Sequence, residues 1–264
     1  MRRQMTTLDC LDRGVDIYGD AVGVVAHDGT EYTYAEFGDR VNRAAAALSD
    51  LGIEKGDRVA LLAPNTHWFL ETLYAINVLG AVSVPLNYRL IPADYAYILG
   101  DCGAEVVVAD FEYADKIESV RDRIPATEFL ANPADRVDGE WHDYETRLVA
   151  ADPERVDRPE ISEDDPATIN YTSGTTGDPK GVVRTHRTEH WHALITAHHT
   201  EVTDDDAYLW TLPMFHVNGW GYIYAVTGMG AKHVCTRGID AEWILEIINE
   251  EDVSYLCAAP TVLN

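Results

Sequence analysis

Short apolar runs alternating with segments of helical period predict an α/β fold built as two lobes on largely parallel sheets. Two observations carry that expectation. "RVALLA" (58–63), "GAVSVPL" (80–86) and "EVVVAD" (105–110) are almost wholly apolar, as strands buried on both faces must be. The stretches between them repeat apolar residues three and four positions apart, the spacing of one helix face.

Taken in order, the N-terminal "MRRQMTTLDCLDRG" has no apolar run and does not read as a signal peptide. "VGVVAHDGTEYTY" (22–34) reads as a hairpin turning at Asp28-Gly29. Thr33 and Glu36 form a capping-box pair, after which Phe37, Val41, Ala44, Ala45, Leu48 and Leu51 trace a helical face that ends at Gly52. "RVALLA" is a strand, followed by a helix opening near Asn65 or Thr66. "GAVSVPL", "EVVVAD", "ATINYT" (167–172), "AYLWTL" (207–212), "AKHVCT" (231–236) and "VSYLCA" (253–258) are further strand candidates. "ADPERVDRPEISEDDPA" (151–167), with three prolines and many acidic side chains, reads as a linker. It divides the chain into a first lobe at 1–160 and the start of a second at 161–264. The sequence ends on "CAAPTVLN", just after a proline of the kind that opens a new helix, and so reads as a fragment.

Charge sets this chain apart. Asp plus Glu total 45 against 20 Lys plus Arg, a formal net charge of −25, and only four of the basic residues are lysines: Lys55, Lys116, Lys180 and Lys232. Carboxylates spread along the whole chain read as a solvated surface suited to concentrated salt, where screening shortens the range of self-repulsion. That surface argues against nucleic acid and anionic membranes as partners. The most apolar stretch, near 70–86, is interrupted by Glu71, Asn77 and Pro85, so no membrane insertion is expected. Cys10, Cys102, Cys235 and Cys257 are widely spaced and form no C-x-x-C, which fits buried thiols in a reducing, cytoplasmic setting.

Against this acidity stands "YTSGTTGDPKGVVRTH" (171–186), which gathers three glycines, six hydroxyls, a lysine and an arginine around a single acid, Asp178. Glycines 174, 177 and 181 let backbone N–H groups approach an anion, Ser173, Thr175 and Thr176 add hydroxyl donors, and Lys180 adds a point charge. Phosphate is the natural guest. The loop is no Walker A motif, because Lys180 lies three residues past Gly177 instead of directly after a glycine. His186, His190, His192, His198 and His199 lie close in sequence but lack the H-E-x-x-H pattern, and no cysteine is near, so they read as structural or solvated residues.

The stretch resembles the signature phosphate loop of the adenylate-forming acyl- and aryl-CoA synthetases. "TYAEF" (33–37), "GDRVALLAPN" (56–65), "GAVSVPLNYRL" (80–90), "LPMFHVNGWG" (212–221) and "APTVLN" (259–264) resemble that family's other landmarks in the right order. The wording of the last two is similar to the branch that activates short, medium or aromatic acids. The resemblance implies an incomplete N-terminal large domain of an adenylate-forming enzyme, with ATP, Mg2+ and CoA as cofactors and a small carboxylic acid as substrate. It further implies that Thr172, Ser173, Gly174, Thr175, Thr176, Gly177 and Lys180 hold the β and γ phosphates, with Thr175 also on magnesium. His216 would stand beside the acid carboxylate; read from the residues alone it is equally a buried, hydrogen-bonded histidine at a strand end. Trp220 and Tyr222 would line the acyl pocket or simply belong to the core.

The family's full-length members are about twice as long. Their later motifs, including the glutamate that completes magnesium binding, and their small C-terminal domain have no counterpart in these residues. The resemblance therefore implies a polypeptide that completes neither half-reaction alone, and a homo-oligomer or a missing half supplied in trans as partner. A non-catalytic remnant and a P-loop-like NTPase remain as other readings.

Overall fold

The computed structural model describes residues 4–172 and 178–258. Twelve strands among the described residues form two sheets. The larger contains β3 (Arg58–Leu62), β4 (Val82–Pro85), β5 (Val106–Asp110), β6 (Glu128–Asn132), β7 (His142–Asp143), β8 (Pro166–Thr172) and β9 (Lys180–Thr185), in the order β7-β6-β5-β3-β4-β8-β9. The smaller contains β1 (Val22–Val25), β2 (Glu31–Thr33), β10 (Ala207–Leu209), β11 (Lys232–Val234) and β12 (Tyr255–Leu256), in the order β12-β10-β11-β1-β2. Every pairing is parallel except β1 with β2 and β8 with β9, so each sheet closes one edge with an antiparallel strand. This is the expected α/β architecture.

Helices α1 (Leu8–Tyr18), α2 (Tyr34–Asp50), α3 (His67–Val78), α4 (Pro92–Cys102), α5 (Phe111–Glu118), α6 (Tyr144–Ala150), α7 (His186–Thr200), α8 (Tyr222–Met229) and α9 (Ala241–Glu250) fill the layers. α3 is buried along its length after His67 because both sheets enclose it, and its sequence is accordingly apolar almost all round. Val59, Leu61, Val106 and Val108 of the larger sheet share one core with α2, α3 and α8 and with Val24, Tyr208 and Cys235 of the smaller. The opposite face of the larger sheet packs on α4 and α5 through Ala60, Leu62, Val107 and Tyr95. The opposite face of the smaller sheet packs Leu209 and Val234 on α9. The result is a helix–sheet–helix–sheet–helix stack.

Local signals hold. The Thr33 hydroxyl accepts the Glu36 amide at 3.2 Å while the Thr33 amide donates to Glu36 at 2.8 Å. Thr66 caps α3 by accepting the Phe69 amide at 3.2 Å, and Gly29, with φ at 83°, turns the first hairpin. Two expectations need correction. First, the sheets do not part at residue 160: β1 and β2 join strands from beyond that point, while β8 returns to pair with β4 and carries β9 on its other edge. The linker is pinned along its path, with Lys55 Nζ 2.7 Å from Asp165 and Arg187 2.7 Å from Glu163. Second, β6, β7 and β9 had gone unrecognised. β9 is extended because Val182 and Val183 favour that backbone opposite Asn170 and Ile169, and α7 opens directly after it on its N-cap Thr185.

Candidate active site

β4 and β8 are parallel neighbours, and a cavity of about 450 Å³ opens beyond their carboxyl ends, where open α/β sheets place their ligands. Pro85, Leu86 and Asn87 line it from β4; Asn170, Tyr171 and Thr172 from β8; Phe215, His216 and Val217 from the segment after β10. Two sequence-predicted residues 44 positions apart, Thr172 and His216, thus share one cavity.

Each wall is held from behind. Tyr95 donates its hydroxyl to the Asn87 carbonyl at 2.8 Å, and Lys116 donates to the carbonyls of Tyr88 and Leu90 at 2.7 and 3.1 Å. Tyr88 meets Phe215 edge to face, with ring centroids 5.2 Å apart. Asn65, one residue ahead of the α3 cap, receives the Met214 amide at 2.8 Å and donates to the carbonyls of Trp210 and Leu212. The sequence offered Asn65 as a landmark residue and a possible helix opening; its job is to fix the segment that ends at His216.

His216 is exposed and its ring centroid lies 6.4 Å from that of Trp220. It is not at a strand end. It precedes a left-handed turn, Val217–Trp220, in which φ is 51° at Val217, 50° at Asn218, 59° at Gly219 and 58° at Trp220. A β-branched valine in that region is uncommon, and such strain persists only where packing enforces it. Here Asn218 is fully buried, and a Cβ at Gly219 would run into the Trp210 indole. Tyr222 stacks on Tyr208 at 4.6 Å and is buried, while Trp220 is half exposed; neither lines the cavity, so Tyr222 is core.

Thr172 pairs in register with Lys180 across β8 and β9, and its hydroxyl donates to the Lys180 carbonyl at 3.5 Å. Ser173, Gly174, Thr175, Thr176 and Gly177 lie outside the described residues. Three of the four lysines are engaged: Lys55 with Asp165, Lys116 with two carbonyls, Lys232 with Glu251. Lys180 is exposed, and its ammonium has no partner among the described residues. In so acidic a protein, Lys180 is the lysine left unneutralised among the described residues. The donor set fits a phosphate chain.

Behind the cavity lies a buried ion pair that sequence reading missed. Arg184 Nε is 2.5 Å from Glu189 Oε1, and Arg184 also donates to His192 Nδ1 at 3.0 Å. Burial pushes the Glu189 carboxyl up to about 7, against the downward pull of Arg184 and the neighbouring Asn218. The other histidines of this stretch have separate structural partners: His186 Nδ1 lies 3.0 Å from the Thr7 hydroxyl, and His190 donates to the Thr6 carbonyl. Among the described residues, His67, Glu71 and Glu145 cluster in a way that could suit a cation. The Arg40 guanidinium already fills that role, binding Glu71 at 2.5 and 3.1 Å and Glu145 at 2.8 Å.

Over residues 11–264 the sequence matches the family described as AMP-binding enzyme. The chain belongs to that family. Among AMP-binding relatives, it is 34% identical over 267 residues to 4-hydroxybutyrate–CoA ligase 2 of Metallosphaera sedula, covering 98% of this chain and 48% of that protein. It is 32% identical over 272 residues to 2-methylpropanoate–CoA ligase CCL4 of Humulus lupulus, covering 98% of this chain and 49% of that protein. The fold superposes on the N-terminal domain of FACL13 from Mycobacterium tuberculosis with a TM-score of 0.89 and 34% identity, covering 98% of this chain and 64% of that one. The chain spans about half the length of the curated relatives it matches, acyl- and aryl-CoA ligases, and so corresponds to an N-terminal portion of them. No helix among the described residues is long and apolar enough to cross a membrane.

Proposed function

We propose that the protein carrying this chain is an AMP-forming acid–CoA ligase, joining a small carboxylic acid to ATP with loss of pyrophosphate and then passing the acyl group to CoA with release of AMP. The observation that carries the reading is the cavity shared by Thr172 and His216, with Lys180 paired across from Thr172 and without a carboxylate partner among the described residues. A carboxylate is a poor acyl donor, because its leaving group would be oxide. ATP supplies the α-phosphorus that makes that oxygen a leaving group. This chain's part is positional and electrostatic: Thr172 and Lys180, with Ser173, Gly174, Thr175, Thr176 and Gly177, hold the β and γ phosphates, and their donors strengthen as charge gathers on the departing pyrophosphate. Thr175 is also the residue offered to Mg2+. His216 faces the carboxylate end of the acid.

Because the matched relatives run to about twice this span, residues 1–264 alone are expected to complete neither half-reaction, and the remaining half is the first partner to seek. The charge excess fits a protein of a salt-rich cytoplasm. The test is acid-dependent exchange of label between pyrophosphate and ATP, run at high salt on the native polypeptide that carries this sequence and on residues 1–264. Exchange by the native polypeptide that needs an added acid supports the ligase. Nucleotide hydrolysis indifferent to any acid would replace it with an NTPase. Robust exchange by residues 1–264 alone would overturn the expectation of incompleteness.

A further inference from the structure

The turn that follows His216 is left-handed at four successive residues, Val217 to Trp220. Such backbone costs free energy at every residue but glycine, and most at a β-branched one. It closes on His216 itself, whose carbonyl accepts the Gly219 amide at 3.1 Å. Unless held, a turn of this kind would relax toward right-handed backbone and re-aim the His216 ring that lines the cavity.

One face of α7 holds it. Glu189, His192 and Thr196 lie three and four residues apart, and so along one side of the helix. Asn218 is fully buried, with its amide beside the Glu189 carboxylate and its Oδ1 accepting Asn170 Nδ2 at 3.5 Å. A Cβ at Gly221 would stand 2.9 Å from His192 Nδ1, so that backbone is packed on the His192 ring. Thr196 Oγ1 donates to the Trp220 carbonyl at 3.4 Å. Arg184 braces the first two of these contacts, lying 2.5 Å from Glu189 Oε1 and donating to His192 Nδ1 at 3.0 Å. Asn170 closes the circuit, since it bonds Asn218 and also lines the cavity with His216.

We propose that Glu189 and Asn218 are positioning residues for His216: the buried carboxylate, pinned by Arg184, anchors the Asn218 amide and fixes the left-handed turn so that the imidazole faces the acid. The inference rests on the ligase reading above. A carboxylate suits the task because it offers two acceptor oxygens, one for the Arg184 guanidinium and one for the Asn218 Nδ2 donor, which has no other acceptor among the described residues. Glu189 and Asn218 are fully buried and do not line the cavity, so their effect on the reaction passes through the turn.

The test is a double-mutant cycle in the native polypeptide, run at about pH 8, where the Glu189 carboxyl, raised to about 7, is ionised. Acid-dependent pyrophosphate exchange with 2-methylpropanoate, butanoate and benzoate finds the best-used acid of the three, and kcat/KM for that acid is measured in each variant. Asn218→Gly keeps a residue that adopts positive φ readily and removes only the tether. Glu189→Gln keeps the volume and loses one of the two acceptors. Each should lower kcat/KM by about tenfold to 100-fold where His216 is present, and by less than about twofold in a His216→Ala background. A merely structural role would lower both backgrounds alike, because it acts on the folded fraction and not on the imidazole. Equal losses in the two backgrounds therefore overturn the inference and leave the ligase standing. So do wild-type rates in both variants, or a His216→Ala protein as active as wild type. Should Asn218→Gly fail to fold, the isosteric Glu189→Gln decides. No acid-dependent exchange by the wild type with any of the three acids overturns the ligase reading and this inference with it.

Discussion

Asn65 Oδ1 accepts the Met214 backbone amide at 2.8 Å, across 149 residues of chain, and so ties the end of β3 to the segment that presents His216. The same side chain donates to the Trp210 carbonyl at 2.7 Å and the Leu212 carbonyl at 2.8 Å. With Asn65 nearly buried, removing its amide strands three backbone groups at once. Asn65→Ala should cost about 2–4 kcal/mol in urea unfolding, two to three unmade hydrogen bonds at buried sites. A loss under about 1 kcal/mol would mean that water replaces the amide and that the segment is fixed by packing alone.

Arg237 fastens the same two sheets from another side. Its guanidinium reaches both Asp110 oxygens at 2.8 Å and Glu112 at 3.0 Å, and Asp110 is fully buried at the junction of β5 and α5. Arg237→Leu leaves that carboxylate buried and unpaired, and should cost about 3 kcal/mol. Adding Asp110→Asn should recover part of the loss, because it removes the stranded charge. A double-mutant cycle from chemical denaturation measures the coupling; additive losses would show that the pair acts as two independent residues.

The fold class, the first hairpin, the capping box and the strands at 58–63 and 105–110 could be read in advance because each rests on local chemistry or on a buried run. β6 escaped because "EFLAN" is short and mixed, and β9 because glycine and charge at its start masked the valines that hold it on β8. His216 and Thr172 could be nominated from their motifs, but their common cavity depends on β4 and β8 becoming neighbours across the 80 residues between Pro85 and Pro166. Glu189 carries no sequence signal that sets it apart from the chain's many other acids. Only the pairing that brings Arg184 beside it shows a buried charge.

Two buried histidines set an acid limit. Burial lowers His186 to about 4 and His233 to about 3 from an ordinary value near 6.5. The His233 Nδ1 accepts the Trp210 indole at 3.0 Å, which requires the neutral ring. Both groups bind protons more readily unfolded than folded, so stability is complete above about pH 6.5 and falls as pH drops toward 4. Each should remove about 2 kcal/mol between pH 7 and pH 5, measured by denaturation in high salt to damp surface repulsion. His186→Asn should lessen the slope. Glu189, raised to about 7 by burial, gains stability as pH falls over the same window, so the deciding quantity is the difference between wild type and His186→Asn; identical profiles would place the His186 ring in contact with water.

The net charge of −25 makes a separate prediction. Lowering the screening length from about 10 Å at 0.1 M salt to about 3 Å at 1 M should relieve repulsion among the dispersed carboxylates and raise the thermal midpoint. Potassium chloride titration followed by circular dichroism measures it. A midpoint indifferent to salt would show that the acidity bears on something other than folding.

Lys180 offers the most direct test of the site. Its ammonium is exposed and unpaired among the described residues, so the folded state gains little from it, and Lys180→Ala should leave the unfolding midpoint nearly unchanged. Binding should respond instead. If Lys180 meets the triphosphate beside Thr172, calorimetry with Mg-ATP should show affinity falling by about tenfold or more in Lys180→Ala, about 1.4 kcal/mol. Lys180→Arg should keep part of the affinity, since the charge survives while the compact ammonium geometry does not. Wild-type affinity should weaken with added salt more steeply than that of Lys180→Ala, because one charge–charge contact is missing from the variant. Equal affinity and equal salt slopes in the two proteins would remove Lys180 from the phosphate site. The exposed lysine would then be a solubilising residue at the edge of β9.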